Sequence, residues 1–244
     1  KLVILGAGIA GLTAAEEARR QTADVEITLV SRERTLPYFR LNLTRFLAGE
    51  VSESDLLIQH KDWFDTQKIE YLVGDAHTID RDEQKVTLRD GRQLGYDRLI
   101  LSNGAHPFIP PIPGANRDGV TVLRTLENAS KLIAALRSGC RAVCIGGGLL
   151  GLETARALQK RGASVTVLEG FNWLLPRQLP AKAAELLKAH LISQHLAVEC
   201  GIQVKEFTGD EAVHGVLLED GREIPADMVI LATGVRPNSY LARE

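Results

Sequence analysis

Cysteine is scarce: three in 244 residues, scattered, do not make a disulfide framework. No charged and then apolar leader with a small-residue cleavage site opens the sequence, so the expected compartment is the reducing cytoplasm. Lys1 stands directly before a strand-like run, from which a few missing residues at the front are expected. Neither sign of charge dominates, with 29 basic against 31 acidic side chains and a net charge of -2. No dense basic block is present to follow a phosphate backbone, which argues against a nucleic-acid partner. The longest apolar runs are strand-sized, short of the roughly 20 residues a membrane span requires, so a soluble protein with no membrane partner is expected. The histidines (60, 77, 106, 190, 195 and 214) lack metal-ligand spacing. His190 and His195 are five apart on an expected helix, where three or four would place them on one face, and no metal site is expected. There is no Ser-His-Asp arrangement and no Gly-x-Ser-x-Gly elbow.

What is present is material for one large or two ordinary cores, at 45% apolar residues, and one motif that occurs twice. Gly6-Ala7-Gly8-Ile9-Ala10-Gly11 follows the apolar run Leu2-Val3-Ile4-Leu5 and precedes a helix-like stretch over 12–20 and a strand-like stretch over 25–30. Gly146-Gly147-Gly148-Leu149-Leu150-Gly151 follows Val143-Cys144-Ile145 and precedes a helix over 149–160 and a strand over 164–168. Each is a strand-loop-helix-strand unit of the length a parallel crossover needs. Both units are followed by turn-punctuated short strands. Val73, Ile79, 86–88 and 99–101 surround the turn Arg89-Asp90-Gly91-Arg92, while Val198, 202–204, 213–218 and 228–231 surround Glu219-Asp220-Gly221-Arg222. The fold expected is α/β, with two Rossmann-like, doubly wound three-layer domains, each bearing a small antiparallel β layer. Pro107, Pro110, Pro111 and Pro113 mark the expected linker.

In such a loop the first glycine allows a tight turn, the second lets backbone approach a pyrophosphate, and the third brings helix against strand. The helix start adds unpaired amides and the positive end of its dipole. One match can arise from packing alone; two in repeated context point to two dinucleotides and to electron transfer between them. An acid closing the second strand should hold the ribose hydroxyls. Glu169 occupies that place in the second unit, and a carboxylate there favours NADH by repelling a 2′-phosphate. In the first unit the place is Ser31; Glu33, two residues later, is the candidate, with a plain surface charge as the competing reading.

The two loops, the stretch 96–105 (Tyr-Asp-Arg-Leu-Ile-Leu-Ser-Asn-Gly-Ala) and the stretch 226–238 (Ala-Asp-Met-Val-Ile-Leu-Ala-Thr-Gly-Val-Arg-Pro-Asn) resemble the FAD-dependent pyridine nucleotide-disulfide oxidoreductase superfamily. Segments 36–43, 123–127 and 174–179 are similar to rubredoxin and ferredoxin reductases and to the flavin part of NADH-dependent nitrite reductase large subunits. The resemblance implies a FAD-binding domain over 1–109, an NADH-binding domain over 110–228 and a return to the first over 229–244. It implies FAD contacts from Gly6, Gly8, Ala10, Gly11, Glu33, Arg40, Ala76, Ser102, Asn103, Gly104 and Gly234, and NADH contacts from Gly146, Gly148, Leu149, Gly151 and Glu169. Arg45 takes the place of a lysine near the flavin ring and Glu153 that of a glutamate near the nicotinamide. An Arg45 to Glu153 contact supporting catalysis is therefore expected, against the plainer reading of two solvated side chains.

Disulfide-reducing members of this superfamily carry redox cysteines after the second strand, and residues 31–60 here contain none. Cys140 and Cys144, four apart on one strand, would stand about 13 Å apart, beyond disulfide reach, and Cys200 is alone. The activity implied is electron transfer from NADH through FAD to a small redox protein or fused redox domain: rubredoxin, a ferredoxin or a nitrite reductase module. Two alternatives stay open: thiol or peroxide reduction within the superfamily, and a non-catalytic nucleotide-binding module. Relatives continue into a second flavin stretch ending in Gly-Asp and an interface domain, so a trimmed chain is expected.

Overall fold

The apolar runs become strands and helices in a computed structural model that describes residues 1–243; Glu244, the last residue of the expected return segment, lies outside the described residues. In chain order the larger elements are β1 (Leu2–Leu5), α1 (Ile9–Gln21), β2 (Ile27–Ser31), α2 (Leu43–Leu47), α3 (Glu53–Leu56), α4 (Lys61–Thr66), β3 (Ile69–Val73), β4 (Ala76–Asp80), β5 (Lys85–Leu88), β6 (Gln93–Gly95), β7 (Arg98–Leu101) and β8 (Ala105–Pro107). There follow β9 (Val120–Thr121), α5 (Leu126–Ala135), β10 (Arg141–Ile145), α6 (Leu149–Lys160), β11 (Ser164–Glu169), α7 (Ala181–Ser193), β12 (Ala197–Cys200), β13 (Val204–Gly209), β14 (Val213–Leu218), β15 (Glu223–Pro225), β16 (Met228–Leu231) and β17 (Val235–Pro237). The chain divides into one unit of residues 1–39, 53–106 and 236–244, and a second of 40–52 and 107–235.

The first unit has a parallel sheet in the order β3-β2-β1-β7. Side chains alternate across a strand, so Leu2 and Ile4 pack with Leu12 and Ala15 of α1 and Phe64 of α4, while Val3 and Leu5 pack with Ala76, Val86 and Leu88 of the antiparallel sheet β4-β5-β6. Helices, parallel sheet and antiparallel sheet form three layers.

The second unit repeats the design. Its parallel sheet runs β12-β11-β10-β16, with β9 added beyond β16. Val143, Ile145 and Leu168 meet Phe207, Val216 and Leu218 of the antiparallel sheet β13-β14-β15, and α6 packs on the opposite face. Both parallel sheets change winding direction beside their first strand, which is where open α/β sheets leave a crevice at the carboxyl ends of the strands.

Four expectations need adjusting. β16, expected to begin the return segment at 229, is the strand beside β10 in the second sheet, and the unit boundary falls after 235. Helix α1 starts three residues earlier than expected, since the Leu12 amide already donates to the Gly8 carbonyl at 3.0 Å. Ile202 is not in β13: Gly201, at φ +72°, turns the chain there, and the 201 and 202 amides bond to Phe171 and Glu169 carbonyls. His195 lies past the end of α7, at φ +65°, so only His190 is helical.

Candidate nucleotide-binding sites

In the first unit, the loop after β1 turns at Gly6, whose φ of +107° excludes most side chains. Gly11 is required by contact: a Cβ there would stand 1.8 Å from the Gly6 carbonyl oxygen and 2.7 Å from Ser102 Oγ. Gly8 differs from both. Its φ of -75° suits any residue and no protein atom lies within 4 Å of a built Cβ. Neither conformation nor packing calls for glycine at 8, and the space beside it is open.

The second loop behaves alike. Gly146 has φ +112°, a Cβ on Gly151 would meet the Gly146 oxygen at 1.9 Å, and Gly148, at φ -79°, has nothing within 4 Å. Gly8 and Gly148 are the N-caps of α1 and α6, and neither helix start has a side-chain cap or an acidic residue in its first turn. By contrast, α5 is closed by a capping box between Thr125 and Asn128. Two bare helix starts, each behind a vacant glycine position, fit a phosphate group.

Beside each loop lies a second one. Ser102 Oγ donates to the Leu5 and Gly6 carbonyls at 3.0 and 2.8 Å. Ser102, Asn103 and Gly104 thus line the first crevice, while Ala232, Thr233 and Gly234 follow β16 in the second unit. Gly234, expected as a flavin contact, is held there through its carbonyl by the Phe108 amide at 2.9 Å. Ala10 and Leu149 are exposed on the first turns of α1 and α6. Ala76 is buried in β4.

The strand-end acids differ. Glu169 is buried, and its carboxylate accepts the Gly147 amide at 2.5 Å and the Phe171 amide at 2.8 Å. Each oxygen keeps a lone pair for a hydroxyl. At Ser31 the hydroxyl exchanges bonds with the Glu33 backbone, and the Glu33 carboxylate accepts the Tyr38 hydroxyl at 2.6 Å.

Arg45 and Glu153 are not brought together. Arg45 Nε lies 3.4 Å from Glu50, which also pairs with Lys160 of α6, and Glu153 accepts from the buried Thr44 hydroxyl at 3.0 Å. Arg40 donates to the Arg124 carbonyl and Arg161 to that of Leu47. Segment 40–52 is therefore anchored within the second unit, with Thr44 and Glu50 bonded to Glu153 and Lys160 of α6. The paired apolar positions Leu43 and Leu47, both buried, were the available sign that α2 had a surface to cover.

Cysteine chemistry is muted. Burial pushes the Cys144 thiol up to about 12 and raises those of Cys140 and Cys200. Cys140 precedes β10, one residue outside the strand expected to hold it. Among the described residues no helix is long and apolar enough to cross a membrane.

The family model for pyridine nucleotide-disulphide oxidoreductases matches residues 1–244. The chain is 37% identical to the nitrite reductase [NAD(P)H] of Bacillus subtilis strain 168, over all of this chain and 31% of that protein. It is 32% identical to the ferredoxin reductase component of chlorobenzene dioxygenase from Cupriavidus sp. strain PS12, over all of this chain and 60% of the relative. Among solved structures, the covalent putidaredoxin reductase-putidaredoxin complex matches with a TM-score of 0.94 at 33% identity, covering 99% of this chain and 60% of the other. The chain thus spans about a third to three fifths of the length of these relatives.

Proposed function

Since the chain belongs to the pyridine nucleotide-disulphide oxidoreductase family, we propose that it is the nucleotide-binding part of an NADH-dependent flavoprotein reductase that passes electrons to a small redox protein or fused redox domain. The observation that carries this reading is the pair of uncapped helix starts, each behind a glycine that the protein itself does not require. FAD, when bound, supplies a ring that takes hydride from reduced nicotinamide and can release electrons one at a time.

The chain's own part is binding and orientation. Amides at the start of α1 and the Ser102-Asn103-Gly104 loop hold the FAD phosphates, with Glu33 toward the ribose and Arg40 and Ala76 as further contacts. Amides at the start of α6 hold the NADH phosphates, and Leu149 covers them. Glu169 accepts the free ribose hydroxyls and repels a 2′-phosphate, so NADH is preferred to NADPH. Arg45 is held by Glu50 and Glu153 by Thr44, which leaves Glu153 as the catalytic candidate and gives Arg45 an anchoring task.

Three thiols with raised pKa and none in 31–60 favour direct transfer over a thiol relay. The test uses the full-length protein under anaerobic conditions. It should be yellow, bleach on NADH, and recolour rapidly with oxidised rubredoxin or ferredoxin and slowly with disulfides or peroxide. A colourless protein that takes up no added FAD would overturn the reading; fast recolouring by a disulfide or peroxide would replace the acceptor.

A further inference from the structure

The segment after β17 returns to the first unit and touches the crevice loop there. Asn238 Nδ2 donates to the Asn103 carbonyl at 2.7 Å and the Asn238 amide to the Gly104 carbonyl at 2.9 Å. Its Oδ1 lies 2.7 Å from His106 Nδ1. With the amide nitrogen committed to Asn103, Oδ1 is an acceptor, so the His106 ring nitrogen carries the proton. One residue, through a half-buried side chain aligned by a histidine and through its backbone amide, fixes two consecutive carbonyls.

Those carbonyls belong to the loop that packs against the glycine turn. Gly6 approaches it so closely that a Cβ would stand 2.2 Å from the Ser102 oxygen and 3.0 Å from the Asn103 nitrogen. Gly104, at φ +64°, has no side chain to hold it in place. Loops of this kind are mobile unless tied down.

We propose that Asn238 is a positioning residue for the flavin-side crevice: by holding the Asn103 and Gly104 carbonyls it keeps the loop beside Gly6 and Gly11 shaped for the dinucleotide, and His106 holds Asn238 in the donating orientation. This rests on the assignment of FAD to the first unit. Asn238→Asp keeps the size and the backbone bond to Gly104 but replaces the donor to Asn103 with an acceptor. Asn238→Ala removes the side chain, and His106→Ala removes only the aligning partner.

Hydrogen exchange of the 102–104 amides in flavin-free full-length protein reads the loop directly. Losing a hydrogen bond of ordinary strength should speed that exchange about tenfold in Asn238→Asp and Asn238→Ala, and a few-fold in His106→Ala. FAD dissociation should rise by a similar factor, and excess FAD should restore the rate of reduction by NADH, while NAD+ affinity at the second unit stays unchanged. Unchanged exchange in both Asn238 variants overturns the proposal. So does a loss of NAD+ affinity equal to the loss of FAD affinity, which marks general destabilisation. If the wild-type protein takes up no FAD, the assignment of FAD fails, while the exchange data still decide whether Asn238 holds the loop.

Discussion

Position by position, the glycines of the two loops differ at one site, Ala7 against Gly147, and the reason lies at the end of the neighbouring strand. Strand pairing sets Val30 beside Leu5 and Leu168 beside Ile145, so Ser31 and Glu169 are equivalent. Glu169 reaches the amide of residue 147 directly, and a Cβ there would sit 3.0 Å from its Oε2 and 2.4 Å from Leu174 Cδ2. Where the strand ends in serine and the acid is displaced to 33, alanine fits. The glycine count of a loop thus records where the strand-end carboxylate stands.

The largest effects should come from the glycines that the two loops share. Gly11→Ala and Gly151→Ala drive a methyl into a backbone oxygen, and each should lower stability by about 3 kcal/mol or more in denaturant unfolding. Gly8→Ala and Gly148→Ala meet open space and, as N-cap changes, should cost no more than about 1 kcal/mol. Their main loss should appear in nucleotide affinity: FAD for Gly8, NADH for Gly148. If either Gly8→Ala or Gly148→Ala lowered stability as much as its neighbour, the separation of packing from ligand approach would be lost.

Next come the acids. Glu169→Ala leaves the buried Gly147 amide and the part-buried Phe171 amide without their acceptor and should cost about 2 kcal/mol, along with selectivity for NADH over NADPH in kcat/KM. Glu33→Ala removes the acceptor of the Tyr38 hydroxyl, outside the loop backbone, and should cost about 1 kcal/mol. Equal costs would mean that the bond from acid to loop is not what distinguishes the units.

Much of this was legible because its causes are local. A glycine forced by its own turn, an alternating strand and an Ala-rich helix all leave their pattern within a few residues, and α6 begins and ends where the periodicity places it. The packing of 40–52 was not legible. Arg161 reaches Leu47 and Thr44 reaches Glu153 across more than a hundred residues, so no window of sequence contains both partners. The expected Arg45 to Glu153 contact failed because Glu50, only five residues away, competes for the guanidinium. Asn238 stands in plain view at the end of the stretch 226–238, but its partners at 103 and 104 come together with it only in the fold.

The exchange at positions 7 and 147 sharpens the comparison further. Gly147→Ala must push aside a leucine methyl and a carboxylate, groups able to yield, and should cost about 1 to 2 kcal/mol and weaken NADH binding. Ala7→Gly removes a methyl from the equivalent place and should change stability by about 0.5 kcal/mol, chiefly through chain entropy.

The smallest effect is a pH dependence. Arg141, on the second sheet's central strand, pairs with Asp227 through two guanidinium nitrogens and its backbone amide, which hold the carboxyl down to about 2. A carboxylate depressed in the folded state contributes stability that is full above its unfolded pKa, near 4, and disappears as pH falls through the folded value. The pair is partly exposed, so solvent screening limits the contribution to about 1 kcal/mol. The stability difference between wild type and Asp227→Asn should therefore be constant at neutral pH, shrink below about pH 4 and vanish only below about pH 2. In an Arg141→Met background it should be small at every pH, because the backbone bond alone then holds the carboxylate. A difference that persisted undiminished to pH 2 would show that shape, and not charge, is what Asp227 contributes at the start of β16.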